Sequence, residues 1–564
     1  MESRPRRPAN LSTCPQCPAD PFRRVVDGAD QCPGAGQRRG DAKVKSLLLT
    51  ILLAGATFAA PLTTAHAEAQ AKQTAGAGAV SVQTFTLSKI VFDPSSYLKP
   101  EQLQKVADKY TGRPISFDDL TTMIKEIKRL YIVEGVPTAE PVLPPQEIRN
   151  GVLHVALVEA KVESVQIEGF PRTNPSFLRD RLKLPVNEKP DFDEISRELR
   201  VFDLSYDIRP SLKFSPGTAP GTTVATIYGE SPKRFAVTLS ADNYGRPETG
   251  RARASLFVRW SSVTGVRDAL SFQAQKSDGA SAYSLGYSRP IGPNGGVVTA
   301  AISRSNSSII GGEFTPVQIT SDSTDFTVNY RRPFKIGPDR YFTFEGGFDT
   351  GRDKSKAGPL AFSDISLSEV YAIGRFYRQW PKARASVGLG VRLGRADAKG
   401  TSETEGSYQL LYGDASFSTP LGKALQFDAT ANFQIAPGQN LPVSRLITAG
   451  GVGSVRGYPS EVRGGDSGVV LNLQISKREP FSWMKGRLNV RPFAFVDAAV
   501  VVPYRASGGF DSSQDVLASF GVGAATELNR RVALLTSVGV PLKKTLGFTD
   551  VGNPTFYVGL DYKF

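Results

Sequence analysis

Arg456 and Asp497 are the residues of this chain whose types and surroundings point most directly to a defined interaction. Arg456 stands in Val455-Arg456-Gly457-Tyr458, inside a Gly-rich stretch, and Asp497 follows in Phe495-Val496-Asp497. A guanidinium carried out of bulk water needs a carboxylate, best a bidentate one, because its planar N–H fork matches the two carboxylate oxygens. Gly457 and its neighbouring glycines permit the tight backbone path that such an approach requires. If Leu488, Val490, Ala494 and Val496 face one way along a strand over 487–499, then Phe495, Asp497 and Ala499 face the other. The plain alternative is an exposed loop arginine.

Catalytic chemistry finds less support. Gly465-Asp466-Ser467-Gly468 resembles the nucleophile segment of trypsin-like proteases, but that chemistry needs a histidine base. The chain has 2 histidines. His66 falls in an apparent leader and His154 is far from Ser467 in sequence, so a loop-to-strand turn is the better reading. Cys14, Cys17 and Cys32 include a Cys-x-x-Cys pair, yet a fourth zinc ligand is missing. No phosphate-binding Gly-x-x-x-x-Gly-Lys, nucleophile elbow or metal-ligand cluster occurs. The expectation is a protein that is not an enzyme and uses no metal or cofactor.

The elements that must position the pair come next. The 564 residues carry 54 Gly and 39 Pro but only 3 Met and 3 Trp, a balance that favours strands and turns over helical bundles. The formal charge of +14 comes without a dense Lys/Arg run, so nucleic acid is not an expected partner. Residues 43–67 read as a secretory signal: Lys43 and Lys45, an apolar stretch over 47–60, then Ala65-His66-Ala67. That stretch is too short to span a bilayer as a helix. Residues 1–42 are Pro- and Arg-rich and look foreign to the signal, and initiation is expected nearer Val44. All three cysteines lie in this extension.

Residues 68–80 form a small-residue linker. Over 81–160 a strand at 85–92 is followed by a helix opened by Pro100. A second helix starts with the capping pair Ser116 and Asp119, striped by Leu120, Met123, Ile124, Ile127, Leu130 and Tyr131. Gly135 ends it, with β-structure near 141–148 and a strand at 152–158. A similar pattern fills 161–230: a strand at 162–167, helices at 176–184 and 191–204, and strands at 208–214 and 223–228.

From Arg234 helical periodicity disappears. Leu425, Phe427, Ala429, Ala431, Phe433 and Ile435 alternate with Gln426, Asp428, Thr430, Asn432 and Gln434. Val469, Leu471, Leu473 and Ile475 repeat this, and the last strand sets Phe556, Val558, Leu560, Tyr562 and Phe564 against Tyr557, Gly559, Asp561 and Lys563. Repeated amides and charges on the second face fit a wet lumen. Sixteen strands are expected over 231–564, which suits membrane strands of roughly 9–11 residues with unequal loops. The expected fold class is therefore mainly β: two periplasmic α/β modules followed by a 16-stranded antiparallel transmembrane β-barrel. An even strand count puts both barrel ends on the periplasmic side. Residues 436–467 become the sixth external loop, an unusually long one that holds Arg456.

On these residues the chain from Phe85 to Phe564 resembles the outer-membrane transporters of two-partner secretion, in the wider Omp85 superfamily. Val455-Arg456-Gly457-Tyr458 matches the signature loop motif. Phe495-Val496-Asp497-Ala498-Ala499 is similar to the Phe-x-Asp-x-Gly strand motif, with Ala499 in place of Gly. Tyr131 to Gly135, Leu143-Pro-Pro-Gln146, Asn150-Gly151, Ser215-Pro-Gly217, Pro220-Gly221-Thr222 and Asp242-Asn243 are similar to further segments of that family.

The resemblance implies two POTRA domains that capture an unfolded, adhesin- or haemolysin-like passenger by strand addition, and nucleotide-independent export to the cell surface or medium. It implies that Arg456 and Asp497 lock an inward loop shaped by Gly457 and Tyr458. It also implies a monomer held in outer-membrane lipid, placed there by the barrel assembly machinery through a terminal signal containing Tyr562 and Phe564. Residues 68–80 are too short for the plug helix that many relatives carry. The main alternative is an assembly factor that inserts other barrels; a passive diffusion porin would leave the two modules without a role.

Overall fold

A computed structural model describes residues 84–399, 404–504, 515–545 and 548–564. The expected extension, signal and linker, with all three cysteines and His66, lie outside the described residues. The chain divides into two compact units, one reaching Val158 and the other running from Glu159 to Phe564.

The first unit contains β1 (Phe85–Thr86), β2 (Lys89–Phe92), α1 (Pro100–Ala107), β3 (Pro114–Ile115), α2 (Phe117–Val133), β4 (Ala139–Val142) and β5 (Val152–Glu159). Ser116 caps α2 as expected: its Oγ accepts from Asp119 N at 3.3 Å, and Asp119 Oδ2 accepts from Ser116 N at 2.8 Å. Leu120, Met123, Ile127 and Tyr131 form the buried stripe, and Gly135 leaves the helix at φ 79°.

Two expectations change here. The strand over 85–92 is broken, because Leu87 turns inward, fully buried, and bridges to Thr111. The β-structure near 141–148 ends at Val142, since Pro144 and Pro145 have no N–H to offer a ladder. Gln146 supplies the pairing with its side chain instead, accepting from His154 N at 2.8 Å and donating to His154 O at 2.6 Å.

The second unit opens with β6 (Lys161–Glu168), α3 (Pro175–Arg179), α4 (Phe192–Ser205), β7 (Ser211–Pro216) and β8 (Thr222–Tyr228), the strands ordered β6-β8-β7. Phe177, Leu178, Leu182, Ile195, Phe202 and Ile227 make its core. The helix expected over 176–184 stops at Arg179, and the strand expected from 208 starts at Ser211. Glu163 on β6 holds the Pro216–Thr222 turn: hydroxyls of Thr222 and Thr218 and the Thr218 N–H pull its carboxyl down to about 2.

The rest is a closed antiparallel barrel. Its strands are β9 (Phe235–Asp242), β10 (Arg253–Ser261), β11 (Ala269–Lys276), β12 (Ala280–Ile291), β13 (Gly296–Ser308), β14 (Ile319–Phe334), β15 (Arg340–Ala357) and β16 (Leu360–Gln379). β17 (Arg384–Ala398), β18 (Gly406–Leu421) and β19 (Leu425–Ile435) follow, then the loop strands β20 (Ile447–Ala449) and β21 (Arg463–Gly465). β22 (Ser467–Lys477), the short β23 (Phe481–Trp483), β24 (Leu488–Val502), β25 (Asp515–Leu528), β26 (Val532–Pro541) and β27 (Thr555–Lys563) complete the ring. Leaving out β20, β21 and the three-residue β23, sixteen strands close it. A closed ring leaves no backbone N–H or C=O unpaired toward lipid, the condition for crossing a bilayer with strands.

Side chains alternate as the sequence implies. Phe556, Val558 and Leu560 are exposed on the outer face, while Tyr557 and Asp561 are buried inside. The seam between β27 and β9 runs from Gly559↔Asp242 to Lys563↔Thr238. Asn243 extends it through its side-chain amide, donating to Phe556 O at 2.9 Å and accepting from Val558 N at 2.9 Å. Tyr562 and Phe564 meet edge to face at 4.7 Å, and the Phe564 N–H donates to Val237 O at 3.0 Å.

The module over 161–228 is clamped to three barrel turns at the end where the chain enters the barrel. Arg267 Nε donates to Asp207 Oδ1 at 2.8 Å, Arg181 Nη2 to Gly292 O at 2.6 Å, and Arg200 Nη1 to Gly337 O at 2.6 Å. Arg267 is 5% exposed, so removing its guanidinium strands the Asp207 carboxylate in a mostly dry site. Arg267→Ala is expected to cost roughly 3 kcal/mol of local stability. Hydrogen exchange should then speed up in α4 while the barrel keeps its heat-modifiable mobility in gels.

Candidate functional site: the loop inside the barrel

Residues 436–466 connect β19 to β22 and return into the barrel instead of standing clear of it. Glycines shape the path. Gly450 has φ 113°, and a Cβ there would lie 2.3 Å from Pro459 O. Gly457 has φ 103° and rests against β26, where a Cβ on Gly539 would come within 2.6 Å of Gly457 N. Neither contact tolerates a side chain.

The structure brings Arg456 and Asp497 together. Arg456 Nε donates to Asp497 Oδ2 at 2.7 Å and Nη2 to Oδ1 at 2.8 Å, a bidentate fork. The Arg456 backbone N–H adds a third bond to Oδ2 at 3.0 Å, and Asn472 Nδ2 a fourth to Oδ1 at 2.9 Å. Asp497 is 0% exposed, yet its oxygens have four donors, so the charge is fully compensated. The guanidinium lies over the Phe495 ring at 3.4 Å, and Nη1 reaches Gln474 Oε1 at 3.1 Å. Phe495 is thus the aromatic floor beneath the cation.

The neighbouring motif residues are equally engaged. Val455 and Tyr458 are 0% exposed and pack with Ala449, Val470, Ala499, Val501 and Leu517. Ala499, where glycine stands in the related strand motif, fits this cluster without displacing Asp497. The Tyr458 hydroxyl lies 2.8 Å from Lys543 O and 3.0 Å from Ala518 O. Gly457 N donates to the Tyr557 hydroxyl at 2.9 Å, and that hydroxyl donates to Tyr458 O at 2.8 Å. Tyr562 and Phe564 sit elsewhere, at the seam.

A second seat lies at the foot of the loop, and the sequence reading missed it. Arg445 Nε donates to both oxygens of Glu369 on β16, at 2.9 and 2.8 Å. Arg392 on β17 bridges Glu369 Oε2 at 2.6 Å and Asp349 Oδ2 on β15 at 2.9 Å, and the Tyr408 hydroxyl on β18 also bonds Glu369. All five side chains are buried. Farther along, Glu461 pairs with Arg246, whose guanidinium burial pulls down to about 10, still protonated near neutral pH. The loop therefore bridges the barrel from β16 to β26.

The protease-like tetrapeptide has a local job. Asp466 accepts from Leu441 N at 2.5 Å and Tyr504 N at 2.7 Å, and burial raises its carboxyl above the usual range. Ser467 Oγ accepts from Ala436 N at 3.0 Å. His154 hydrogen-bonds Asp93 at 2.9 Å in the first unit. Among the described residues no group of histidine, cysteine and carboxylate side chains could hold a metal.

Asp497→Ala leaves the largely enclosed Arg456 guanidinium without its carboxylate, at roughly 3–5 kcal/mol to the seated loop. The barrel should still fold, while trypsin cuts at Arg445, Arg456 or Arg463 and conductance across planar bilayers increases. Glu369→Gln should loosen the loop foot in the same assay. An unchanged cleavage pattern in both variants would show that neither seat holds the loop.

Comparison with known proteins places this architecture. The family model described as haemolysin secretion/activation protein ShlB/FhaC/HecB matches residues 221–526, and the ShlB-type POTRA domain model matches residues 85–160. The chain is 23% identical over 404 residues to the heme/hemopexin transporter protein HuxB of Haemophilus influenzae (strain 86-028NP), covering 67% of this chain and 70% of that protein. It is 22% identical over 479 residues to the outer membrane transporter CdiB of Dickeya dadantii, covering 81% and 83%. It is 23% identical over 465 residues to the hemolysin transporter protein ShlB of Serratia marcescens, covering 77% and 79%. The solved structure of CdiB from Escherichia coli has the same fold, with a TM-score of 0.66 at 18% identity over 87% of this chain and 93% of that one. A 16-stranded barrel, a POTRA module and an inward loop thus come with a matching family: the chain belongs to the ShlB/FhaC/HecB haemolysin secretion/activation proteins, the outer-membrane transporters of two-partner secretion.

Proposed function

We propose that this transporter moves one large secreted partner protein, unfolded, through the barrel, and that displacement of the 436–466 loop opens the way. The observation that carries the reading is the loop itself. It is held by ion pairs and hydrogen bonds at Glu369 and Asp497, contacts that re-form reversibly when a chain has passed. A hydrophobic plug of the same size would offer no comparable set of discrete, reversible contacts.

In this reading the module over 161–228 is a second POTRA domain in addition to the one at 85–160, and both capture the passenger in the periplasm. Strand addition to a sheet edge supplies main-chain hydrogen bonds without requiring a particular passenger sequence. The two three-stranded sheets offer β2 and β4, and β6 and β7, as edge strands, with β5 and β8 in their centres. Arg456 and Asp497 act as the lock, Gly457 and Tyr458 shape its tip, and Phe495 supports the cation. No nucleotide or catalytic step is required, and folding of the passenger outside gives direction. The transporter works as a monomer, inserted by the barrel assembly machinery through the strand that ends in Tyr562 and Phe564.

The two-module arrangement favours export over assembly of other barrels. Deleting the gene should remove one or two large proteins from the culture medium and leave the outer-membrane protein profile unchanged. Broad loss of other barrels would overturn the export reading. In the complemented strain, Arg456→Ala and Asp497→Ala should each lower secretion about tenfold or more at equal barrel abundance, given the size of the buried-pair penalty. Normal secretion by both would reject the lock.

A further inference from the structure

Barrel strands differ sharply in length. β14, β15 and β16 have 16, 18 and 20 residues, whereas β19, β22 and β27 have 11, 11 and 9. Roughly 9–11 residues cross the bilayer, so the long strands project beyond it. The connections 277–279 and 309–318 lie at the end opposite the clamped 161–228 module, which places this projection on the extracellular side.

The outward face of the projection is basic. Phe272, Ile302, Phe326 and Phe348 are exposed on the outer wall and belong to its apolar band. Continuing outward on the same faces, two to eight residues farther on, come Lys276, Arg304, Arg352, Lys354 and Lys356. At about 3.3 Å per residue and a 35–45° tilt, most of them stand roughly 5–15 Å above the band, at headgroup depth. They line one groove of about 770 Å³, with Asp278 and Asp322 as its acids. Arg304 pairs with Asp322 at 3.0 Å and Arg352 with Asp364 at 2.7 Å. Lys276, Lys354 and Lys356 have no carboxylate within ion-pair distance among the described residues. The extracellular ends of β19, β22 and β24 to β27 carry no lysine or arginine in their last four residues.

We propose that this groove binds the phosphorylated headgroup of an outer-leaflet glycolipid, with its acyl chains against the apolar band beneath. The continuity decides the ligand class. A soluble anion would use only the cations, whereas a lipid with a polyanionic head uses both surfaces. The lysines supply point charges at variable reach, suited to phosphates on a mobile sugar, and the arginines, paired with Asp322 and Asp364, stand among them. A merely solvated basic wall would require no concavity between the cations.

The test uses the full chain, folded and purified, with bisphosphorylated lipid A as the probe and native mass spectrometry as the readout. Wild type should retain the lipid. Retention should fall on the order of 10–100-fold when the lipid is enzymatically dephosphorylated, and equally in Lys276→Gln/Lys354→Gln/Lys356→Gln. Lys382→Gln/Lys423→Gln, on periplasmic turns, should behave as wild type. Gel mobility before and after heating verifies that each variant is folded, and the dephosphorylated lipid tests the idea on the unmodified protein. Equal retention of the dephosphorylated lipid, or full retention by the triple variant, would overturn the proposal. Displacement by millimolar inorganic phosphate would overturn it too, by showing a site for small anions.

Discussion

A carboxylate in a barrel wall loses its water, and donors must replace it or the fold around it fails. Asp497 imposes that condition on this molecule. Two of its four donors come from the Arg456 side chain, one from the Arg456 backbone, and one from Asn472 on the adjacent β22. The loop cannot leave without exposing the charge to an incomplete shell. The glycine contact between Gly457 and Gly539 and the Tyr458 and Tyr557 hydroxyl bonds all follow from placing one guanidinium at that point.

The foot of the loop obeys the same rule with different residues. Glu369 is shared by two arginines, and Arg392 is itself shared with Asp349. Such a network fixes geometry more than it adds stability, because desolvation offsets much of the attraction. Two separated polar seats hold the loop in one register, and either can be exchanged for water when the lumen fills. A continuous hydrophobic contact would release less readily.

Much of this was legible in the residue order. Strict alternation over 425–435, 469–475 and 556–564 declared a wall with one wet face, and the wet face of 469–475 carried Asn472 and Gln474, the amides now found beside Arg456 and Asp497. The capping pair at Ser116 and the stripe after it announced α2. The misses have physical causes. Pro144 and Pro145 ended a strand whose pairing a glutamine side chain then continued, a substitution that periodicity does not register. Glu369, Arg392 and Arg445 looked like isolated charges in alternating strands or a loop. Only the ring's curvature brings them together, across 76 residues between Glu369 and Arg445. Their lumenal parity was the one available signal.

The seam carries a consequence for how the molecule comes into being. Five register pairs join β27 to β9, against sixteen between β14 and β15, and the Asn243 amide lengthens that short join. Its partners lie more than 300 positions apart along the chain. Every other wall contact can form between neighbours as they emerge, but this one waits for the final residues. A chain truncated anywhere before β27 therefore remains an open ribbon with two raw edges, and completion of synthesis becomes a precondition for stability in the membrane. The ring inspects its own length.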